Sequence, residues 1–188
     1  MTLGDLLAEI VRRLDAASIP HMVTGSIAST LHGEPRTTQD IDLVIDPSGV
    51  ALASFVGGLN PDRFYVGDAS GALDRRDQFN VIDVQTGWKV DLMMLKERPF
   101  SRSEFDRRQP VVIAGVRTAV ATVEDTILAK LEWGRASGSD RQRRDVVGML
   151  AVQGDRVDRE YLDLWAPVLG LVDDLKAALD TAAGEMHG

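Results

Sequence analysis

Cysteine is absent from all 188 residues. A disulfide framework and a thiolate zinc site are therefore excluded, and a reducing cytoplasm is the natural compartment. Histidine is nearly as scarce. His21, His32 and His187 form no ligand cluster along the chain, and His32 reads as a loop or packing residue rather than a base. Long apolar runs are missing too: the opening MTLGDLLAEIVRRLD carries Asp5, Glu9, Arg12 and Arg13 through its apolar positions, so it reads as neither a signal peptide nor a membrane span. No later stretch is apolar for long enough, and no membrane partner is expected. Positive charge is in deficit, with 21 Lys and Arg against 29 Asp and Glu and a net charge of −8. That balance argues against broad nucleic-acid binding, which depends on neutralising phosphates, while leaving a local basic path open. Internal repeats and low-complexity tracts are also lacking.

What remains, 44% hydrophobic and 27% charged residues, describes a folded globular chain long enough for one sizeable core and a small helical appendage. Its organising stretch is VTGSIASTLHGEPRTTQDIDLVI, Val23 to Ile45. Met22 and Val23 read as the end of a short strand, Gly25-Ser26 as a tight turn, and Ile27 to Leu31 as one or two helical turns. Asp40-Ile41-Asp42-Leu43-Val44-Ile45 then alternates as a strand does, which puts Asp40, Asp42 and Val44 on one face and Ile41, Leu43 and Ile45 on an apolar face. Two ionised carboxylates so close repel, and a hard divalent cation compensates them well, since Mg2+ takes one or two carboxylates and fills its other positions with water and substrate phosphates. The competing reading is an edge strand with two solvated aspartates. The turn upstream favours the site: backbone N–H groups at a helix start bind phosphate oxygens, Gly25 permits close approach, and Ser26 adds a hydroxyl.

Gly25-Ser26, a gap of 13 residues, and Asp40-x-Asp42 among aliphatics resemble the signature of the polymerase-beta-like nucleotidyltransferase superfamily. The string G-S-x-A-x-x-x-H-G-x-P-R-x-T-x-D-I-D-L, from Gly25 to Leu43, is most similar to the small prokaryotic branch that includes abortive-infection (AbiEii-like) toxins. The resemblance is specific from residue 20 to 46 and weaker, though collinear, to Leu150. It implies an α+β fold (α/β by some conventions) with a small mixed sheet packed with helices, followed by a C-terminal helical bundle. The corresponding division is a catalytic domain over residues 1–120 and a helical region packed on it over 121–188.

The rest of the chain reads as follows. Leu3, Leu6, Leu7, Ile10, Val11 and Leu14 predict an amphipathic helix ended by Pro20. His21 to Thr24 predicts a strand, Val50 to Val56 a helix stopped at Gly57-Gly58, and Phe64 to Val66 a short strand. Residues 67–77 carry no single signal, although Gly67, Asp68, Ser70 and Gly71 suggest a loop that could border the nucleotide pocket. Phe79 to Thr86 and Trp88 to Leu95 predict a hairpin turning at Thr86-Gly87. Residues 96–118, with Lys96, Arg98, Arg102, Arg107, Arg108 and Arg117, read as a solvated connection or a phosphate contact, and the first is preferred. Val111 to Ile113 and Val116 to Val120, flanking Ala114-Gly115, predict a second hairpin that extends the sheet. Thr122 predicts a helix cap, with a stop near Ser137-Gly138-Ser139. Two helices with a break near Pro167 and Gly170 follow Arg156. Trp88, Trp133 and Trp165 read as core or interface anchors rather than base-stacking platforms.

Asp91 interrupts the apolar strand WKVDLMML, where an ionised carboxylate is normally paired, solvated or metal-bound. The resemblance implies a third carboxylate on the strand beside D-x-D, and Asp91 matches. Asp83, in the partner strand, is the competitor and reads as facing water. The segment V-E-D-x-I-x-x-K-x-x-W-G-R with R-Q-R-R-D-V again resembles the abortive-infection enzymes. It implies that Lys130 contacts the triphosphate and that Asp145 completes the pocket. The alternatives are a Lys130 that snorkels from a helix edge and an Asp145 that pairs with Arg141. Arg36 either reaches a phosphate or binds Asp42.

Together these imply a nucleotidyltransferase that moves a nucleoside monophosphate from an NTP to an acceptor hydroxyl. Asp40, Asp42 and Asp91 would hold two Mg2+ ions, with Mn2+ as a substitute, and Gly25, Ser26 and Lys130 would cradle phosphates. The resemblance implies tRNA or protein as acceptor and a cognate antitoxin or toxin partner. A non-catalytic antitoxin or scaffold is a second reading, and an aminoglycoside-type enzyme a third.

Overall fold

The computed structural model describes residues 2–38 and 40–185; His187 lies outside them. The chain divides into two compact units, Met1–Ser26 with Thr38–Ala121, and Ile27–Thr37 with Thr122–Gly188. Residues 27–37 are thus grouped with the C-terminal helices although strands flank them in sequence.

The first unit is built on a mixed sheet. Its elements in chain order are α1 (Leu3–Ala16), β1 (His21–Val23), β2 (Asp40–Ile45), α3 (Gly49–Gly58), β3 (Phe64–Val66), α4 (Ala69–Arg75), β4 (Gln78–Asp83), β5 (Lys89–Met94), α5 (Pro99–Asp106), β6 (Gln109–Ile113) and β7 (Val116–Val120); α2 (Gly25–His32) starts here and continues in the other unit. The sheet order is β3-β4-β5-β2-β1-β7-β6. β2 runs parallel to β5 and antiparallel to β1, and β1 runs parallel to β7. Alternation sorts the two faces: Ile41, Leu43, Ile45, Val81, Val90, Leu92 and Met94 are buried on one, while Asp40, Asp42, Asn80, Lys89 and Asp91 lie on the other, half-buried or exposed.

A capping box starts α1, with Thr2 Oγ1 accepting from the Asp5 N–H at 3.2 Å and Asp5 Oδ2 accepting from the Thr2 N–H at 2.7 Å. Leu6, Leu7, Ile10, Val11 and Leu14 form its buried stripe. The helix stops at Ala16, short of Pro20, because Ser18 turns left-handed (φ 54°). Two expectations change here. Residues 69–75 form a helix capped by Asp68 in place of a loop. Residues 99–106 also form a helix, not a solvated connection: Pro99 starts it, Phe100 and Phe105 are buried, and Phe105 packs with Met22, Leu95 and Ala121 against Val44. The arginines of this stretch serve the fold, with Arg98 bonded to Ser101, Arg102 to Asp46, and Arg108 stacked over Phe105.

The second unit is helical: α2 beyond Ser26, α6 (Val123–Ser137), α7 (Asp140–Gln153), a 3-10 turn (Gly154–Arg156), α8 (Arg159–Leu169) and α9 (Val172–Glu185). Thr122 caps α6 as expected, accepting from the Asp125 N–H at 3.2 Å. Asp125 is fully buried, yet it receives hydroxyl donors from Thr122 and Tyr161, each at 2.6 Å. Ile127, Leu128, Leu131, Val146, Met149, Leu150, Leu162 and Leu175 fill the core. Gly134 lets α7 pass closely, since a β-carbon there would stand 3.1 Å from Gln142 Cβ. Pro167 falls inside the last turn of α8, and the break comes at left-handed Gly170. Trp133 is 60% exposed and is not a core anchor. No helix among the described residues is long and apolar enough to cross a membrane.

Candidate active site

The Gly-Ser turn is built directly onto the D-x-D strand. β1 and β2 are paired through Val23 and Leu43, and the Thr24 N–H extends the ladder by donating to the Asp42 carbonyl at 3.0 Å. The chain then turns at Gly25 (φ +61°) into α2, and the Ser26 N–H donates to Asp42 Oδ2 at 3.3 Å. Gly25 is required twice. Its φ is left-handed, and a β-carbon would lie 2.0 Å from Asp42 Oδ2 and 2.8 Å from Asp42 Cβ, so rotating the aspartate would not relieve the clash.

The carboxylates lie in two rows across the same sheet face. Asp42 stands in register with Asp91, which in turn faces Asn80; one pair along, Asp40 stands in register with Lys89, which faces Ile82. The three aspartates that the sequence singled out therefore share one face of adjacent parallel strands. Asp91 is not simply solvated: its Oδ2 lies 2.8 Å from Lys89 Nζ, which also stands 3.9 Å from Asp40 Oδ1. The hydrogen bond to Asp91 is the main cause that raises the Lys89 pKa above its ordinary value. Burial opposes it, and the fields of Asp91, Asp40 and Asp42 add to it.

Asp83 is excluded from this face. It shares the parity of Phe79 and Val81, its side chain is 0% exposed, and it accepts from Arg63 Nε and Nη2, both at 3.3 Å. It does not face water as expected. The alternation F-N-V-I-D in β4 carries that signal, since Asp83 follows the apolar positions at period two. Lys89 is the residue that sequence reasoning passed over. Its signal was the same: it lies two positions before Asp91, hence on the same face.

In the helical unit, Lys130, Asp145 and Arg36 come together. Lys130 Nζ lies 2.8 Å from Asp145 Oδ2 and 2.9 Å from Gln142 Oε1, with its side chain 5% exposed, so it is buried in the unit and does not snorkel. Arg36 forks onto Asp145, Nε to Oδ1 at 3.2 Å and Nη2 to Oδ2 at 3.1 Å. Asp145 therefore takes its partners from α6 and from the segment after α2, not from Arg141 on its own helix. Burial pushes the Asp145 carboxyl up, but the hydrogen bond and charge of Lys130, followed by those of Arg36, hold it below its ordinary value. The cluster retains one net positive charge. His32 ends α2, and its carbonyl accepts from Gln153.

No protein-family model matches this sequence, and no curated protein matches it. Solved structures do match. An antigenic nucleotidyltransferase-like protein from Paracoccidioides brasiliensis superposes with a TM-score of 0.58 at 18% identity, covering 95% of this chain and 92% of that one. ANT(2'')-Ia in complex with adenylyl-2''-tobramycin superposes at 0.58 and 16% identity, over 90% and 97% of the two chains. The lincosamide antibiotic adenylyltransferase LnuA, lincomycin-bound, superposes at 0.54 and 9% identity, over 81% and 98%. This chain has a nucleotidyltransferase fold. The expected α+β architecture is thereby shown, with a sheet of seven strands among the described residues.

Among the described residues, no three Asp, Glu or His side chains converge closely enough to hold an ion. Asp42 is engaged by Ser26, and Asp91 by Lys89. The donor chemistry nevertheless fits. All three groups are hard oxygen donors on one face, two are in register on neighbouring strands, and a cation, the Lys89 ammonium, already balances one of their charges.

Proposed function

We propose that this nucleotidyltransferase-fold chain is a divalent-metal-dependent nucleotidyltransferase. The observation that supports it best is the register of Asp42 against Asp91, with Asp40 on the same face and the Gly25-Ser26 turn set onto Asp42. Asp40, Asp42 and Asp91 would hold Mg2+ or Mn2+; when bound, such ions neutralise phosphate charge and stabilise the attacking and leaving oxygens. The chain's own contributions are positional. Ser26 fixes the Asp42 carboxylate, and the N-terminus of α2 presents backbone N–H groups suited to phosphate. Asp91 accepts the proton of the acceptor hydroxyl as its oxygen bonds to the α-phosphorus; the bond to the bridging oxygen breaks and pyrophosphate leaves. Within the helical unit, Lys130 and Arg36, both held on Asp145, would offer cationic donors to a phosphate.

Two acceptor classes divide this reading. The abortive-infection resemblance favours a tRNA or protein hydroxyl and a toxin role with a cognate partner. The length match to proteins bound to modified tobramycin or to lincomycin favours a small-molecule hydroxyl instead. The test is calorimetry with non-hydrolysable triphosphates in Mg2+ and then in EDTA, on wild type and on Asp42→Asn. A transfer assay with labelled NTPs, offering tRNA, protein or an aminoglycoside, would follow. Metal-dependent binding lost in the variant supports the reading, and label on one acceptor class chooses between the two. Absence of binding for every triphosphate at millimolar concentration sinks it and leaves a non-catalytic scaffold.

A further inference from the structure

We infer that Lys89 is a resident counter-cation of the three-aspartate face, one that divalent metal must displace from Asp91 and Asp40, so that this lysine sets the metal concentration at which the site loads. The inference rests on the metal-site reading above but concerns a residue which that reading does not use.

The placement is specific. Lys89 and Asp91 are two apart on β5 and share its half-buried face, while Asp40 is the register partner of Lys89 on β2. The ammonium is thus flanked by one carboxylate along its own strand, at 2.8 Å, and another across the sheet, at 3.9 Å. On its other side stands Ile82, which offers it no acceptor. Without the lysine, Asp42 and Asp91 would face each other at the spacing of neighbouring strands, about 4.8 Å, with Asp40 two residues along β2 and nothing to offset the three charges. With it, one of their charges is balanced. The side chain is 35% exposed, so the ammonium has open space to leave toward solvent when a stronger cation arrives. A divalent ion brings twice the charge and binds carboxylate oxygen directly, so it wins at sufficient concentration, but against one occupied donor. Removing the lysine should tighten metal binding by about tenfold or more, the effect of one unit charge within several ångströms in a partly screened site.

The experiment uses the whole chain and Mn2+ or Mg2+ alone. Calorimetric Mn2+ titration of wild type, Lys89→Met and Lys89→Arg is expected to show about tenfold tighter binding for the methionine variant and near-wild-type binding for the arginine variant. Equal or weaker binding by folded Lys89→Met overturns the inference. Asp42→Asn and Asp91→Asn run alongside: their loss of Mn2+ binding while Lys89→Met matches wild type keeps the metal site and rejects the role of Lys89. Absence of Mn2+ binding in wild type and Lys89→Met alike rejects both. If Lys89→Met does not fold, the wild type serves. Acetylation of Lys89 by an amine-reactive reagent, read by peptide mass spectrometry, should rise several-fold when Mg2+ is added, with Lys96 and Lys176 as internal references. Unchanged Lys89 labelling at saturating Mg2+ overturns the inference equally.

Discussion

Replacing Asp145 by Ala should unfold the helical unit far more readily than its size suggests. The carboxylate is 9% exposed and the Lys130 side chain it meets is 5% exposed, at 2.8 Å. Water and salt barely screen this pair. Removing the aspartate leaves Lys130 with its charge inside the unit and Gln142 Oε1 at 2.9 Å among its remaining acceptors, while the Arg36 fork loses both its bonds to the carboxylate. Breaking a buried ion pair on one side costs about 3–5 kcal/mol. Arg36, 27% exposed, can turn to water, so the cost should lie near the lower end, about 3 kcal/mol. Lys130→Met alone should cost less, because Arg36 still balances Asp145. In the double variant Lys130→Met with Asp145→Ala no buried charge remains, so it should recover at least about 1.5 kcal/mol of the summed single losses. Urea denaturation without nucleotide or metal, followed by far-UV circular dichroism, measures all four chains. A cost below about 1 kcal/mol for Asp145→Ala, or strict additivity in the cycle, would falsify the reasoning, since either means that the pair is hydrated.

Three further outcomes follow from the same geometry. Asp145 titrates lower in the folded chain than in the unfolded one, so its stabilisation is complete above about pH 4 and lost as pH falls through its folded value; the stability of Asp145→Asn, measured by urea unfolding from about pH 5 to pH 2.5, should fall less steeply than that of wild type. Gly25→Ala must adopt a left-handed φ and drive its β-carbon into Asp42; it should lose about 1–3 kcal/mol by denaturation and most of its metal-dependent nucleotide affinity by calorimetry. Asp83→Asn and Asp91→Asn should separate cleanly: the first, buried against Arg63, lowers stability and spares nucleotide affinity, whereas the second keeps the fold and slows transfer at least about a hundredfold in the labelled assay.

Much of the site was legible because it obeys short-range rules. The period of two in D-I-D-L-V-I placed Asp40 and Asp42 together, and the Gly-Ser turn preceded them at a spacing that resembles known enzymes. The Thr122 cap and the stop at Gly138 needed only local backbone chemistry. The misreadings came from contacts distant in sequence. Residues 96–108 look like a charged connection because their arginines dominate the string, yet Phe100 and Phe105 find a core that the string does not display. Asp83 looked solvated because nothing beside it in sequence announces Arg63 twenty residues earlier as its partner.

By itself the sequence determined which side chains share the D-x-D strand face, where α6 starts and stops, and that hard oxygen donors follow a glycine turn; these follow from backbone periodicity and steric limits that act over a few residues. Only the tertiary structure decided which strands are neighbours, and hence that Asp91 rather than Asp83 stands beside Asp42, that Lys89 pairs with Asp91 and Asp40, and that Arg36 and Lys130 converge on Asp145. Strand order and helix packing are set by how the whole apolar surface is buried at once, and no local stretch carries that information.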